Sequence, residues 1–135
     1  MPSPLGGLLL MVLTATPAVA APDEAASTPY KRFEGQALAQ GRAVWLANCE
    51  TCHGYGIAGA PIPMEPAEWQ PRLRQPMDVL YGHAINGFFG PDDAYMPPRG
   101  GNPQLSDAEV KSAVDYVTTL ARHYIDQQPT DIRSK

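Results

Sequence analysis

Residues 49–53 read Cys49-Glu50-Thr51-Cys52-His53, and this C-x-x-C-H motif constrains the fold more than any other stretch of the chain. The spacing is typical of covalent haem attachment. At the end of a helix, two sulfurs so placed can reach both vinyl groups of one porphyrin, while the adjacent imidazole turns toward the iron. We therefore predict one haem c, attached through Cys49 and Cys52, with His53 as an axial iron ligand.

Three other interpretations of the motif compete with haem attachment. A thioredoxin-like dithiol requires a βαβ setting, and no such pattern surrounds these cysteines. A structural zinc site needs four ligands, but the chain has 2 cysteines in all, and no H-x₃₋₅-H pattern follows them. A plain disulfide between Cys49 and Cys52 stays open, although it would leave the loops that follow without a core.

A second axial ligand must come from the other side of the ring, and a loop is its natural source. Met96 lies in the segment DAYMPPRGG (residues 93–101), where proline and glycine restrict the chain. A thioether is a soft, neutral ligand that favours reduced iron and raises the potential. We predict Met96 as the sixth ligand, because Met64 and Met77 fit core positions better.

Two further histidines lie outside the motif. His83 falls on a short predicted helix and His123 near the end of the last one. Both are interpreted as surface or packed side chains. If His83 were a ligand instead of Met96, the iron would be bis-His and its potential lower.

Composition limits the architecture and the partners. The chain has 135 residues, enough for one domain, and 15 prolines, nine of which lie between Pro61 and Pro103. Proline fixes φ and removes a backbone donor, so this stretch should be mostly loop, and a large apolar cofactor would supply the missing core. With a net charge of −4, the chain is not expected to bind nucleic acid.

Helical periodicity predicts an all-α fold with three main helices and long connecting loops. The first helix begins near residue 33 or 34 and ends just before the cysteines, and the last begins with the capping box of Ser106 and Glu109. A shorter helix runs from Met77 to Asn86, opened by Pro76 and closed by Gly87, and a brief turn is expected at residues 66–73. No alternating β pattern is visible.

The chain begins with features of a secretory signal. An apolar run covers residues 5–13 and a small-residue end, Ala18-Val19-Ala20, follows, although no Lys or Arg precedes the run. We predict a signal peptide at 1–20, a flexible arm at 21–33, a cytochrome c domain at 34–125 and a C-terminal tail at 126–135. The protein would then be periplasmic or otherwise exported, with no stable membrane anchor once the leader is cleaved.

Taken together, the motifs resemble those of the class I cytochromes c, and among them the short bacterial cytochrome c-five group. The resemblance covers roughly residues 34–124. It rests on the helix before C-x-x-C-H, the stretch GIAGAP (56–61), Trp69 with Arg72, the loop MPPRGG (96–101) and the helix start LSDAEV (105–110). It implies the class I cytochrome c fold, wrapped around one covalently bound haem.

The resemblance also implies roles for single residues. The first and last helices of this family cross closely, so Gly41 would contact Tyr116 or a neighbour. A carbonyl near Pro61 would orient the imidazole of His53. Trp69 would lie near the haem propionates.

Iron held by His53 and Met96 has no open coordination position, so we predict a one-electron carrier and not an enzyme. Its partners would be exported or membrane-bound redox proteins: a dehydrogenase, a reductase or an oxidase. The alternatives are a haem enzyme or gas sensor in which Met96 is displaced, and a fixed redox subunit of a larger oxidoreductase complex.

The sequence also suggests what surrounds the haem. Arg72, Arg74 and Arg99 are candidates to neutralise the propionates or to form a docking rim. In the segment NGFFGPDD (86–93), two phenylalanines are expected to dry the haem crevice, while two aspartates make its rim acidic.

Overall fold

The computed structural model describes residues 28–128. The predicted signal peptide (1–20) and most of the predicted tail lie outside the described residues. Within them, the helices are α1 (Gln36–Asn48), α2 (Glu50–His53), α3 (Pro66–Arg72), α4 (Met77–Asn86) and α5 (Asp107–Asp126). Short 3₁₀ turns cover Ile57–Gly59 and Pro98–Gly101, and the strands β1 (Phe88–Phe89) and β2 (Tyr95–Met96) form a small hairpin.

Helices α1 and α5 cross at Gly41, and their contact is the most extensive in the described chain. A Cβ at Gly41 would lie 2.1 Å from the carbonyl oxygen of Ser112 and 3.1 Å from Cβ of Tyr116. The helices can approach this closely only because residue 41 has no side chain. The expected contact between Gly41 and the Tyr116 region is confirmed.

Helix α5 is the longest element and has the predicted capping box. The Ser106 hydroxyl accepts a hydrogen bond from the backbone N–H of Glu109 at 3.3 Å, and the Glu109 carboxylate accepts one from the N–H of Ser106 at 2.8 Å. One face of the helix is buried, through Val110, Ala113, Val114, Tyr116, Val117, Leu120 and Ala121. This apolar stripe holds α1 on one side and α4 on the other.

The two shorter predicted helical segments are also present. Helix α4 has the predicted bounds, with Pro76 at its N-cap and Gly87 leaving the helix at φ +83°. Helix α3 occupies the place of the expected turn, and Pro66 lies in its first turn, where the missing N–H costs nothing.

The hairpin was not predicted from the sequence. Phe88 pairs with Met96 and Phe89 with Tyr95 in antiparallel register. Each strand has two residues, so it is too short to show alternation in the sequence. The hairpin nevertheless fixes the backbone of Met96, and it leaves the all-α class unchanged.

The end of the predicted flexible arm packs on the helices. Tyr30 is 7% exposed and its hydroxyl donates to Glu50 at 2.9 Å. Its carbonyl accepts from Nε of the buried Arg42 at 3.0 Å, and the Tyr116 hydroxyl donates to the carbonyl of Lys31 at 3.0 Å. The packed part of the chain therefore begins before the predicted boundary at residue 34.

Across residues 28–128, every helix is too short or too polar to cross a lipid bilayer.

Candidate haem site

A cavity of about 500 Å³ lies between the helices and the loops that follow the C-x-x-C-H motif. This volume is within the roughly 300–1,000 Å³ usual for cofactor sites. Its apolar wall includes side chains from both hydrophobic clusters of the described chain: Trp45, Trp69, Ala113 and Val117 from one, and Leu80, Ala84, Val110 and Val114 from the other. The cavity thus occupies the place where the two clusters would otherwise meet.

The three chemistry-bearing residues of the motif lie together on one wall. Cys49 follows the last residue of α1, and the single turn of α2 carries Cys52 and His53. Backbone hydrogen bonds from Cys49 to Trp45 (2.8 Å) and from His53 to Cys49 (3.0 Å) hold this corner. All three side chains line the cavity.

His53 is held in one orientation. Its Nδ1–H donates to the carbonyl oxygen of Pro61 at 2.9 Å, so Nε2 retains a free lone pair. Burial lowers the pKa of His53, and the charge of Arg72 adds to the lowering, while the hydrogen bond to Pro61 opposes it. The lowered pKa favours the neutral ring, which is the form that can ligate a metal.

The two thiols do not form a disulfide in the structure. Burial, together with the nearby Cys52, raises the pKa of the Cys49 thiol to about 11. A redox dithiol works through a thiol whose pKa is lowered, so this environment disfavours the thioredoxin-like alternative. Among residues 28–128, no three His, Cys, Asp or Glu side chains cluster as a metal site would require.

Of the methionines and histidines outside the motif, Met96 and His83 line the cavity. Met96 is half-buried, on the short strand β2. The ring of His83 stacks on Phe88 with centroids 4.1 Å apart. Met64 and Met77 instead pack against the two hydrophobic clusters, as predicted for core side chains.

Two buried indole nitrogens, Nε1 of Trp45 and Nε1 of Trp69, have no hydrogen-bond partner among the described residues, and both tryptophans line the cavity. Leaving such a donor unsatisfied costs about 1–3 kcal/mol. Haem carries two propionate carboxylates that could accept these hydrogen bonds, so the residues present fit the cofactor. Sequence reasoning identified Trp69 and missed Trp45, whose place on the buried face of α1 was the available signal.

The arginines divide into different environments. Arg72 lines the cavity and donates to the carbonyl of Glu68. The guanidinium of Arg99 forms an ion pair with Asp107 at 2.6 Å and donates to the carbonyl of Leu105 at 2.8 Å. Arg74 is exposed and is not part of the cavity wall. The structure therefore brings two of the three candidates to the cavity, and one of these already has an acidic partner.

The phenylalanines were expected to act as a pair, and the structure separates them. Phe88 lines the cavity, whereas Phe89 is 79% exposed and absent from the cavity wall. Successive side chains on a strand point in opposite directions, so only one of them can face inward. The expectation that both would dry the crevice was wrong for Phe89.

An all-α chain that wraps a C-x-x-C-H corner and an apolar cavity has the architecture of a class I c-type cytochrome. Residues 36–117 match the family model described as cytochrome c oxidase, cbb3-type, subunit III. This match covers more than half of the chain, so the chain belongs to the cytochrome c family. The cofactor of this family is covalently attached haem c with its iron.

Known relatives agree with this assignment. The chain is 43% identical to cytochrome c-555 of Chlorobaculum tepidum over 79 residues, which are 58% of this chain and 72% of the relative. It is 32% identical to cytochrome c5 of Ectopseudomonas mendocina over 75 residues, or 54% of this chain and 80% of the relative. These relatives are electron carriers and not enzymes, and this chain shares that function.

A solved structure gives the same result. The crystal structure of an electron transfer complex of nitrite reductase with cytochrome c contains a chain that aligns at a TM-score of 0.54 with 34% sequence identity. The alignment covers 62% of this chain and 95% of that chain. The fold is therefore that of a cytochrome c, as predicted.

Proposed function

We propose that Cys49 and Cys52 attach the haem, that His53 and Met96 are its axial ligands, and that the chain exchanges single electrons with exported redox proteins. The observation that carries this proposal is the arrangement of one cavity. Two thiols and a neutral imidazole with a free Nε2 share a wall, and a strand-held thioether also lines the space.

The proposed role of His53 follows from its hydrogen bond to Pro61. The bond fixes the tautomer and the ring orientation, and it raises the basicity of Nε2 as a ligand. Pro61 is therefore a positioning residue, which acts on the iron only through His53. Haem supplies, when bound, an iron that changes between two oxidation states.

The remaining wall keeps the site rigid and dry. Trp45 is 1% exposed and Trp69 5%, and the α4–α5 cluster closes the other side with apolar side chains. Rigid apolar surroundings exclude water and limit rearrangement when the charge changes, which favours rapid electron exchange. Trp69, with its unsatisfied N–H, is proposed to donate to a propionate, and Arg72 is proposed to balance the charge of the propionates.

The partners are proposed to be a dehydrogenase, a reductase or an oxidase in the periplasm or another exported compartment. The electron transfer complex named above involves nitrite reductase, which makes a reductase one reasonable class. The predicted leader at 1–20 supports export, and the domain boundaries proposed from sequence are kept, except that the packed region includes Tyr30. Gel filtration of the native protein would reveal a fixed subunit by its co-elution with a larger complex.

The experiment that tests the ligand assignment is Met96→Ala in the matured holoprotein. We expect haem to remain attached, the reduction potential to fall by on the order of 0.1 V, and the reduced form to bind CO, because a strong-field thioether is replaced by an open position. Redox titration, with optical spectra of both oxidation states, measures these changes. Retention of the wild-type thioether-to-iron absorption band would exclude Met96.

Two matched controls separate the alternatives. His83→Gln changes the other cavity-lining candidate and should leave the potential and the spectra nearly unchanged. Met77→Ala removes a methionine that packs outside the cavity and should affect stability only. Rapid CO binding by the unmodified reduced protein would instead favour a gas sensor or haem enzyme.

A further inference from the structure

An exposed apolar surface lies over the cavity wall. It consists of Ile57, Phe88, Phe89 and Tyr95, which are 50%, 41%, 79% and 43% exposed, and we refer to these four residues as the aromatic rim. The rings of Phe89 and Tyr95 lie 4.6 Å apart. Large side chains this exposed, and grouped in this way, commonly mark an interaction site in a monomeric protein.

The two segments that form the aromatic rim are packed together. The turn Ile57–Gly59 contacts β2, and a Cβ on Gly59 would lie 2.6 Å from Cβ of Ala94. In the hairpin, the N–H of Gly90 donates to the carbonyl of Ala94 at 2.8 Å. The aromatic rim is therefore a continuous, structured surface and not a set of separate side chains.

The aromatic rim is also the outer side of the haem site. Ile57, Phe88 and Tyr95 line the cavity while remaining partly open to solvent, and Phe89 packs on Tyr95. A protein seated here would therefore contact side chains that themselves line the cavity.

The two chain segments that form the aromatic rim carry charge of one sign. Segments 54–60 and 87–96 contain two charged residues, Asp92 and Asp93, and no Lys or Arg. Both aspartates are exposed, in the turn of the hairpin, with φ of +55° and +59°. The complementary surface has an apolar centre bordered by basic side chains.

We propose that the aromatic rim, together with Asp92 and Asp93, is the docking surface for a redox protein whose contact face has an apolar centre and a Lys/Arg border. This inference rests on the proposed electron-carrier function and specifies its partner. A second copy of the chain fits less well, because a two-fold interface here would bring the aspartates of both copies together. The arginines predicted as a docking rim are not part of this surface.

The test uses two inorganic oxidants of opposite character on the reduced holoprotein. Tris(1,10-phenanthroline)cobalt(III) is cationic with aromatic ligands, and so mimics the proposed partner face; hexacyanoferrate(III) is anionic. Each accepts one electron from the haem iron, giving the cobalt(II) or hexacyanoferrate(II) complex. Stopped-flow absorbance measures both rates at low and high ionic strength.

Variant Asp92→Asn/Asp93→Asn keeps residues that tolerate positive φ and removes both charges. At low salt we expect oxidation by the cobalt complex to slow about three- to tenfold and oxidation by hexacyanoferrate to accelerate, with both differences reduced at high salt. Phe89→Ser should slow the cobalt reaction alone. The control Glu34→Gln/Glu65→Gln removes two exposed carboxylates that do not line the cavity and should leave the ratio of the two rates near wild type.

Equal rate ratios in all variants, at unchanged potential, would overturn the docking surface while leaving the carrier function intact. A concentration-dependent dimer in analytical ultracentrifugation that Phe89→Ser abolishes would assign the surface to self-association and also overturn the proposal. A colourless protein, or one oxidised by neither reagent, would overturn the proposed function and the docking surface together.

Discussion

At the scale of single residues, the buried N–H of Trp69 is a hydrogen-bond donor that needs an acceptor from outside the described chain. Its Nε1 is buried with no partner among the described residues, the same holds for Nε1 of Trp45, and both tryptophans line the cavity. If haem propionates accept these hydrogen bonds, the bonds stabilise the holoprotein. If nothing accepts them, the donors only destabilise it. Removing the N–H should therefore lower the stability of the holoprotein if an acceptor is present, and should not lower it if no acceptor is present.

A variant in which β-(3-benzothienyl)alanine replaces Trp69 tests this, because the analogue keeps the shape of the indole and exchanges its N–H for sulfur. We expect the free energy of unfolding of the holoprotein, from urea titration, to fall by about 1–3 kcal/mol because a hydrogen bond to a charged group is lost. The same replacement at Trp45 should have the same sign. An unchanged or more stable protein would show that neither donor has an acceptor.

Residue-scale roles were predictable where the chemistry is local. The Cys-x-x-Cys-His spacing identified the residues that now share one wall, and the oxygen that fixes His53 belongs to the proline named from the family resemblance. The exposure of Phe89 was not predictable, since it depends on strand pairing. The ion pair of Arg99 with Asp107 was not predictable either, because it forms only when the loop folds back onto α5.

At the scale of the elements, the crossing of α1 and α5 depends on one missing side chain. In Gly41→Ala, the new Cβ would overlap the backbone of Ser112, which cannot move without displacing α5. We expect the free energy of unfolding to fall by about 1–3 kcal/mol or more, as in an overpacked core. Urea unfolding of the holoprotein checks this value.

Gly82→Ala is the matched control for that substitution. Gly82 also lies inside a helix, but a Cβ there would meet nothing within 4 Å. Alanine should stabilise α4 by about 0.5–1 kcal/mol, since it loses less backbone entropy than glycine. Similar effects at residues 41 and 82 would mean that helix propensity, and not the crossing, determines the cost.

Helices were predictable because their signals are local. The Ser106 capping box, Pro76 and Gly87 all lie at or next to the ends that they define. The hairpin and the packing of Tyr30 depend instead on distant partners. Glu50 accepts a hydrogen bond from the Tyr30 hydroxyl and Arg42 donates one to its carbonyl, across 20 and 12 positions of the sequence.

At the scale of the whole molecule, the two hydrophobic clusters are small and border the cavity from both sides. Neither cluster is large enough to form the core of a domain by itself, so we expect the folded state to depend on a cofactor that fills the space between them.

The double variant Cys49→Ala/Cys52→Ala tests this dependence, because it removes both sulfurs that are proposed to retain the haem. We expect a colourless protein with weak near-ultraviolet circular dichroism and no cooperative thermal transition, since neither cluster can close without the cofactor. Met96→Ala is the matched control: it also alters the cavity wall but should keep the haem and a cooperative transition. A haem-free double variant that unfolds cooperatively would show that the helices form a sufficient core by themselves.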